Sequence, residues 1–442
     1  IFESTLSENL TLNAAVNYKR LKSHNFAEII DMLGSNSGYL NIDSFDQVQF
    51  DLQNPNRVVA EGDTFRYNFN IEANVLSGFA QAQFKYNKVD FFLAGSYIAT
   101  EYQREGLYQT ETYADNSLGK GRKLSFGGVG AKGGFTYKFS GKHIFNVNAG
   151  YLTKAPSIRN TFTNSRENHA IVGDITGIDI TEEKITSFDV NYIFRSSSVK
   201  ARLTGYYTQM QDANEISFYF ADGISGVDEG TAFVQEILQG IDKTHMGIEF
   251  GMEAQITPSI KLTGVASVGQ FTYDNNPNLV LTSSDFVDGL NFGESNLKDY
   301  RIAAGPQQAA SIGFEYRDPN YWWFGTTANF FADTYVDVSP LTRTQNFYLD
   351  TDGLPFSDYE PDLARELLRQ ERFEDYMVIN AIGGKSWKIG DKYISLFVSL
   401  NNIFNQKFKS GGFEQGRSAN YRSLQEDAAN PKRVFGPKYW YG

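Results

Sequence analysis

Met246-Gly-Ile-Glu-Phe-Gly-Met-Glu-Ala-Gln-Ile256 decides the fold. Side chains alternate across a strand with period two. Met246, Ile248, Phe250, Met252, Ala254 and Ile256 therefore share one face, and Gly247, Glu249, Gly251, Glu253 and Gln255 the other. Carboxylates in that number would be costly against a dry core. A strand with lipid on one side and a wet lumen on the other accepts both sets.

The same dyad recurs along the chain. In His143–Lys154, Phe145, Val147, Ala149 and Tyr151 oppose Asn146, Asn148 and Gly150. Val199–Thr208 puts Lys200, Arg202 and Thr204 inward, and Lys392–Asn402 puts Ile394, Leu396, Val398 and Leu400 outward. Short turns join neighbouring runs at Asn87-Lys88, Ser140-Gly141-Lys142, Ser196-Ser197-Ser198, Thr257-Pro258-Ser259, Asp318-Pro319-Asn320 and Ile389-Gly390-Asp391. The opposite ends open into insertions of roughly 20 to 45 residues, an asymmetry expected of a barrel with tight periplasmic turns and large extracellular loops. These insertions are read at Leu21–Thr64, Gln103–Lys123, Pro156–Glu183, Gln209–Gln239, Asn275–Gly305, Val336–Asp375 and Gln406–Val434. In Phe65–Tyr86 the apolar set moves from odd positions, up to Val75, to even ones from Leu76 on, which predicts a bulge near Ser77-Gly78. That run is also longer than the roughly 10 residues a tilted strand needs to cross, so part of it is expected above the membrane. Aromatics gather beside the turns, at Tyr137 and Phe139, Tyr321-Trp322-Trp323-Phe324 and Trp387, where amphipathic rings would mark a membrane boundary.

Composition agrees. The 442 residues show no linker or composition shift, so the chain reads as a single β-barrel portion over 1–442. Aromatics are 15% and hydrophobic residues only 41%, and mean hydropathy is −0.39. No apolar run approaches the ~20 residues a spanning helix needs, which leaves a closed barrel as the spanning structure. Cysteine is absent, excluding disulfides and thiolate metal sites. A net charge of −12 argues against a nucleic-acid partner. Counting runs from Asn9–Arg20 to one beginning near Val434 gives about fourteen strands. Residues before Ser7-Glu8-Asn9 read as the tail of a preceding strand, and the chain is expected to be part of a longer one.

Several segments resemble TonB-dependent outer-membrane receptors. Gly150-Tyr-Leu-Thr-Lys-Ala-Pro-Ser-Ile-Arg-Asn-Thr-Phe162 is similar to the family's strand-exit segment, and Val398-Ser-Leu-Asn-Asn-Ile-Phe-Asn-Gln-Lys-Phe408 to its late Asn-Leu/Ile-Phe signature. Between them, Ala201–Ile216 and Gly247–Glu253 match paired strands in order, and Gly436–Gly442 resembles the approach to the final strand. Loop texts such as Asn54–Asp63 and Tyr102–Leu107 look most like Bacteroidota receptors that carry an N-terminal carboxypeptidase-regulatory-like domain. The resemblance implies a 22-stranded barrel, its lumen filled by the protein's own N-terminal plug domain. It further implies import of a scarce nutrient (siderophore, oligosaccharide or peptide), energised by a TonB-type periplasmic partner. A surface lipoprotein or a larger outer-membrane complex is a further partner it implies. The plug, the N-terminal box and the last strand are missing from these residues.

Site signals are sparse. His24, His143, His169 and His245 show no metal-ligand spacing. His169 shares its loop with Asp174, Asp179, Glu182 and Glu183, which reads as solvated acidic surface. Asp350-Thr-Asp-Gly353 with Asp358 and Glu360 is similar to a calcium loop but lacks the twelve-residue spacing, so a polar turn is expected. Glu360–Phe373 reads as a short amphipathic helix, either a lid or docking face or a segment that packs its own loop down. No Gly-x-Ser-x-Gly elbow or His-Glu-x-x-His occurs, and the reading is non-enzymatic, with no catalytic, metal or cofactor residues assigned. The expected function is nutrient import at the bacterial outer membrane. A structural barrel subunit of a larger assembly and a passive pore are the alternatives.

Overall fold

The computed structural model describes residues 1–44, 47–303 and 305–428, together with the backbone of 434–435 and 439–440. Fourteen long strands form one antiparallel wall. They are β1 (Phe2–Ser7), β2 (Leu10–Glu28), β3 (Thr64–Lys85), β4 (Val89–Gly106), β5 (Leu124–Lys138), β6 (His143–Lys154) and β7 (Glu183–Arg195). There follow β8 (Val199–Asp222), β9 (Thr231–Thr257), β10 (Ile260–Tyr273), β11 (Gln308–Arg317), β12 (Trp322–Ala332), β13 (Tyr376–Ile389) and β14 (Lys392–Leu400). Each pairs with its neighbours in the chain, and short loop strands raise the sheet to 17. Among the described residues no ladder joins β1 to β14.

The turns fall where the sequence places them. Asn87-Lys88, for instance, is closed by the Tyr86 N–H donating to the Val89 carbonyl at 2.8 Å. Phe2–Ser7 is a strand paired with β2, as its tail-like text suggests. The run expected near Val434 lies mostly outside the described residues, and its described parts, Val434-Phe435 and Tyr439-Trp440, pair with Phe413-Glu414 and Phe408-Lys409 outside the main sheet.

Cross-strand partners share a face, so register assigns lumen and lipid sides together. Arg202 faces Gly251, Gly251 faces Val265, and on to Ser311 and Asn329. Two residues away, Thr204, Glu249, Ser267 and Ala309 continue that polar side. Leu203, Phe250, Ala266 and Ala310 form the opposite, apolar side. Glu249, Glu253 and Arg202 therefore face the lumen, and Phe250, Met252 and Leu396 face outward, as the alternation requires.

The bulge predicted at Ser77-Gly78 is not there. β3 keeps unbroken register with β4 from Phe69 to Lys85, and its only slip against β2 lies between Phe26 and Ala27, opposite Phe65 and Asn68. Arg66 there takes φ 69°. The apolar set changes parity because two different environments claim the strand. Near the turns, Leu76, Gly78, Ala80, Ala82 and Phe84 look outward to lipid. Higher up, Phe69, Ile71 and Ala73 look inward and are buried beneath an inserted loop.

The outward face marks the membrane. On β2 it reads Leu10, Leu12, Ala14, Val16, Tyr18, then Arg20 and Lys22. Leu10 to Tyr18 covers about 27 Å at ~3.4 Å per residue, or roughly 20 Å of thickness after tilt, close to the ~25 Å apolar band of such barrels. Above Tyr18 the outward face turns ionic. Lys22 meets Glu72 at 3.2 Å and Glu105 at 3.5 Å, and Lys123 meets Glu101 at 2.7 Å. The upper part of β2–β4 thus stands clear of lipid. At the turn end, Phe139, Trp322, Phe324 and Trp387 are exposed, which supplies the aromatic boundary.

One predicted insertion is largely strand. β8 runs to Asp222 and β9 restarts at Thr231, so Gln209–Gln239 is a tall hairpin with a loop of only 223–230. Its text, Gln209-Met-Gln-Asp-Ala-Asn-Glu215, lacks lipid-type alternation because the hairpin stands above the apolar band, with one face packed under other loops and the other leaving Phe218, Phe220 and Phe233 exposed.

Candidate ligand-binding mouth

Loops fold over the lumen side at the end opposite the tight turns and are packed as a second core. On one flank, Phe162 and Ile171 of the Pro156–Glu183 loop sit on Phe69, Ile71, Tyr102, Leu124 and Phe126. A short helix, α1 (Val172–Thr176), continues that loop, and its Val172 buries against Ile216 and Ile237 of the tall hairpin.

Arg104 holds this flank. Its side chain is buried and has no carboxylate in contact. Its Nε donates to the Ser165 carbonyl at 2.7 Å, and its guanidinium reaches the carbonyls of Ser117 at 2.9 Å and Arg166 at 3.4 Å. It also meets His169 Nδ1 at 3.0 Å and lies over the Phe69 ring. Burial pulls its pKa down to about 10, which leaves it charged at neutral pH. An Arg with five donors in a fixed fork suits several carbonyls at once.

The other flank is built on β8 and β9. Val234, Leu238, Ile241, Leu279, Leu281, Leu297 and Leu341 are almost fully buried in one cluster, joined by Tyr273 from the inward face of β10. Two long loops reach across to it. Asn346 donates to the Gly223 carbonyl at 3.1 Å and the Ala419 carbonyl at 2.9 Å, and accepts from Ser225 N–H at 2.8 Å. Arg417 meets Asp222 at 2.5 Å. Arg343, buried, bridges Glu414 with both terminal nitrogens, one at 2.8 Å, and donates to the Leu368 carbonyl at 2.8 Å.

Ionisable groups are concentrated in this cluster, above the membrane band that ends near Met246. The Tyr219 hydroxyl donates to Glu236 Oε2 at 2.6 Å. Burial pushes Glu236 up to about 7, opposed by the Tyr219 hydrogen bond. Asp337 is pushed up to about 6 by withdrawal from bulk water and by the Glu215 charge, although part of its surface stays accessible. Lys243 pairs with Glu215 and lies over the Tyr273 ring. These groups lie close enough to sense one another.

Below the mouth the lumen wall is polar and connected. Asn148 donates to Asp189 at 2.9 Å, Asn191 to Asn146 at 3.1 Å, and Arg202 Nε and Thr204 Oγ1 to Asn191 Oδ1 at 2.9 and 2.8 Å. Two wall cavities follow this face, about 420 Å³ around Arg202, Glu249 and Asn329 and about 270 Å³ around Lys261, Glu315 and Asn380.

The weaker sequence signals resolve as structure. His169 is tied to Arg104 and the Leu118 carbonyl. Asp174 closes α1 by accepting from Ile171 N–H and pairs with Arg122, while Glu183 pairs with Lys154. Among the described residues no group of three or more His or acidic side chains is arranged to hold a metal. Asp350 accepts from the Asp352 and Leu354 N–H groups, closing a polar turn. The amphipathic segment is helical over α2 (Pro361–Leu367), and Ala364 and Leu367 pack on Phe347, Phe356 and Tyr421 beside α3 (Tyr421–Ala428). Its apolar face is thus spent on holding its own loop down. Arg104, Glu236, Asn346 and Arg343 escaped the sequence reading. Arg104 and Glu236 sit in strands of alternating polarity, where a charged residue looks like any other lumen residue until the covering loop is seen, whereas Arg343 and Asn346 sit in loop turns, where a polar residue reads as solvated.

Residues 3–403 match the family model described as TonB dependent receptor-like, beta-barrel. No curated protein matches. Among solved structures, the siderophore receptor PiuA from Acinetobacter baumannii superposes with TM-score 0.57 at 11% identity, over 92% of this chain and 51% of that one. The copper transporter OprC gives 0.57 at 13%, over 91% and 49%. The ferric-catecholate import receptor Fiu from E. coli K12 gives 0.53 at 13%, over 97% and 50%. At such identities the likeness is one of fold, and the chain spans about half the length of the receptors it matches.

Proposed function

Because the chain belongs to the TonB-dependent receptor β-barrel family, we propose that it forms wall and mouth of a bacterial outer-membrane receptor that captures a small nutrient and imports it by energy-coupled transport. The observation that carries this reading is the packed, ionisable loop assembly standing over a polar lumen wall. A passive pore has no use for loops fixed across its mouth. The polar wall suits an occupant that exchanges hydrogen bonds with it, which a plug domain supplied by the same protein would be. Energy would enter through a TonB-type periplasmic protein. The loop texts at Asn54–Asp63 and Tyr102–Leu107 support a Bacteroidota receptor of the carboxypeptidase-regulatory-like type. Loops rich in Tyr, Phe, Asn and Asp favour a hydrogen-bonding, stacking ligand such as a siderophore, an oligosaccharide or a peptide.

The test compares cells carrying or lacking the complete gene, each offered a labelled ferric catecholate, a labelled oligosaccharide or a labelled peptide, with and without a protonophore. Saturable uptake of one probe that the protonophore abolishes supports the reading. Unsaturable, protonophore-resistant entry of all three points to a pore. Gene-independent uptake of every probe, with the protein recovered in a stable complex, points to an assembly subunit.

A further inference from the structure

β8 carries a bare strand edge above the membrane. Its pairing with β7 ends at Gln211, opposite Lys184, while its pairing with β9 runs without a slip from Asn214 to Asp222. Successive residues of an antiparallel pair alternate between bonding the partner strand and pointing away from it. Two contacts fix the phase here. The Asp222 N–H donates to the Arg417 carbonyl at 2.6 Å, away from β9. Across the ladder, the Phe233 carbonyl accepts from the Ser283 hydroxyl at 2.9 Å, away from β8, and Phe233 stands opposite Phe220. Phe218 and Phe220, in step with Asp222, therefore turn their N–H groups and carbonyls to the open side. Among the described residues no strand pairs with them there and no hydrogen bond reaches those groups.

The open stretch is bounded at both ends. Below, the Arg159 guanidinium reaches the Ile216 carbonyl at 3.5 Å. Above, Arg417–Ala419 lies parallel to β8, and the Ala419 N–H donates to the Asp222 carbonyl at 3.0 Å. Between these stops Ser217, Phe218 and Phe220 are exposed, and the rings of Phe218, Phe220 and Phe233 form a patch on one face. Ile216 to Asp222 spans about 20 Å at ~3.4 Å per residue, room for about four residues of an added strand. Arg159 is itself exposed, and no carboxylate pairs with it among the described residues.

We propose that the ligand captured at the mouth is a short peptide, held as an added strand on Phe218–Phe220 with its C-terminal carboxylate against Arg159. An open strand edge is a template for another strand. Its donors and acceptors repeat at the main-chain spacing, which a peptide carries and an oligosaccharide or a catecholate does not. Arg417–Ala419 already bonds this edge at Asp222, so the edge accepts a strand, and the two stops leave no length for a long one. A carboxylate at Arg159 runs the peptide antiparallel to β8, and its side chains beside Phe218 and Phe220 rest on the aromatic patch. The inference rests on the import reading above and narrows its ligand to one class.

The test uses the receptor expressed from the complete gene. Amide exchange is followed residue by residue, with and without an equimolar pool of free-acid tetrapeptides of Ala, Val, Thr and Phe. The Phe218 and Phe220 amides, fast in the free protein, should slow several-fold, while Ser217 and Tyr219, already bonded to β9, should not change. The same pool methylated at every peptide nitrogen should give no protection. C-terminally amidated peptides, or the free acids on Arg159→Gln, should need several-fold more peptide. No protection by the pool overturns the proposal, as does protection indifferent to N-methylation or to Arg159→Gln. Slow exchange at both amides before peptide is added also overturns it, because a segment of this chain or a second copy would then hold the edge. Saturable, protonophore-sensitive uptake of a catecholate or an oligosaccharide with the edge unprotected would leave import standing and remove the peptide. Protection without uptake would keep the site and remove import.

Discussion

Glu236→Gln should stabilise the mouth at neutral pH and make its stability less dependent on pH. Glu236 is buried and accepts from Tyr219, and its carboxyl is raised from an ordinary 4.5 to about 7. A raised carboxyl pKa means that the folded mouth holds its proton where the opened chain has released it. The stabilisation from this group is therefore complete below pH 4.5, declines between 4.5 and 7, and is gone above 7. At ~1.4 kcal/mol per unit the loss is about 3 kcal/mol. Gln keeps an acceptor for Tyr219 and carries no proton to lose, so the variant should be spared this loss. Asp337, raised to about 6 by desolvation and the Glu215 charge while part of it meets water, adds a decline in the same direction that both proteins share. Hydrogen exchange over 231–241 and 336–347, corrected for intrinsic rate and followed from pH 4.5 to 8, measures the opening free energy directly. Wild type should weaken more steeply than Glu236→Gln, which keeps only the Asp337 decline. Parallel profiles, or a wild type that strengthens as pH rises, would refute the reasoning.

Other expectations follow from the same contacts. Arg104→Met leaves the Ser117, Ser165 and Arg166 carbonyls without their donor, so the loops at 107–118 and 156–171 should loosen by about 3 kcal/mol or more, read as faster proteolysis there with the barrel intact. Removing either Arg343 or Glu414 strands its buried partner and should cost about 3–5 kcal/mol, whereas the double replacement Arg343→Met with Glu414→Leu should recover part of it in a double-mutant cycle. Asn346→Ala breaks three hydrogen bonds joining three loops, at about 1 kcal/mol each, and should increase exchange at 223–226 and 419–424 together. Cysteines at 249 and 202 should react with aqueous reagents, and those at 250 and 396 only with lipid-soluble ones. Aqueous labelling at 250 would reverse the face assignment.

The wall was readable because period-two alternation is a local property. Glu249 beside Phe250 says which way each points without knowledge of any partner strand. The tight turns were equally local. Where two environments shared one strand, locality failed. The parity change in β3 has the look of an inserted residue, but it arises from Phe162 and Ile171, some 90 residues on, covering its upper inner face. For the same reason the tall hairpin passed for loop, since the apolar residues of its inner face answer to Leu279, Leu341 and Ala419 rather than to lipid. The site was the least readable part. Glu236 and Arg343 acquire their character only from burial by segments distant in sequence, and nothing in their own neighbourhoods announces it.

The clamp around Arg104 grips main-chain oxygens of Ser117, Ser165 and Arg166, together with one ring nitrogen. Those oxygens are present whatever side chain follows them. The outward side chains of these two loops can therefore be exchanged while the path of the backbone and the opening it frames stay as they are. Such a clamp separates the chemistry of the loop surface from the shape beneath it.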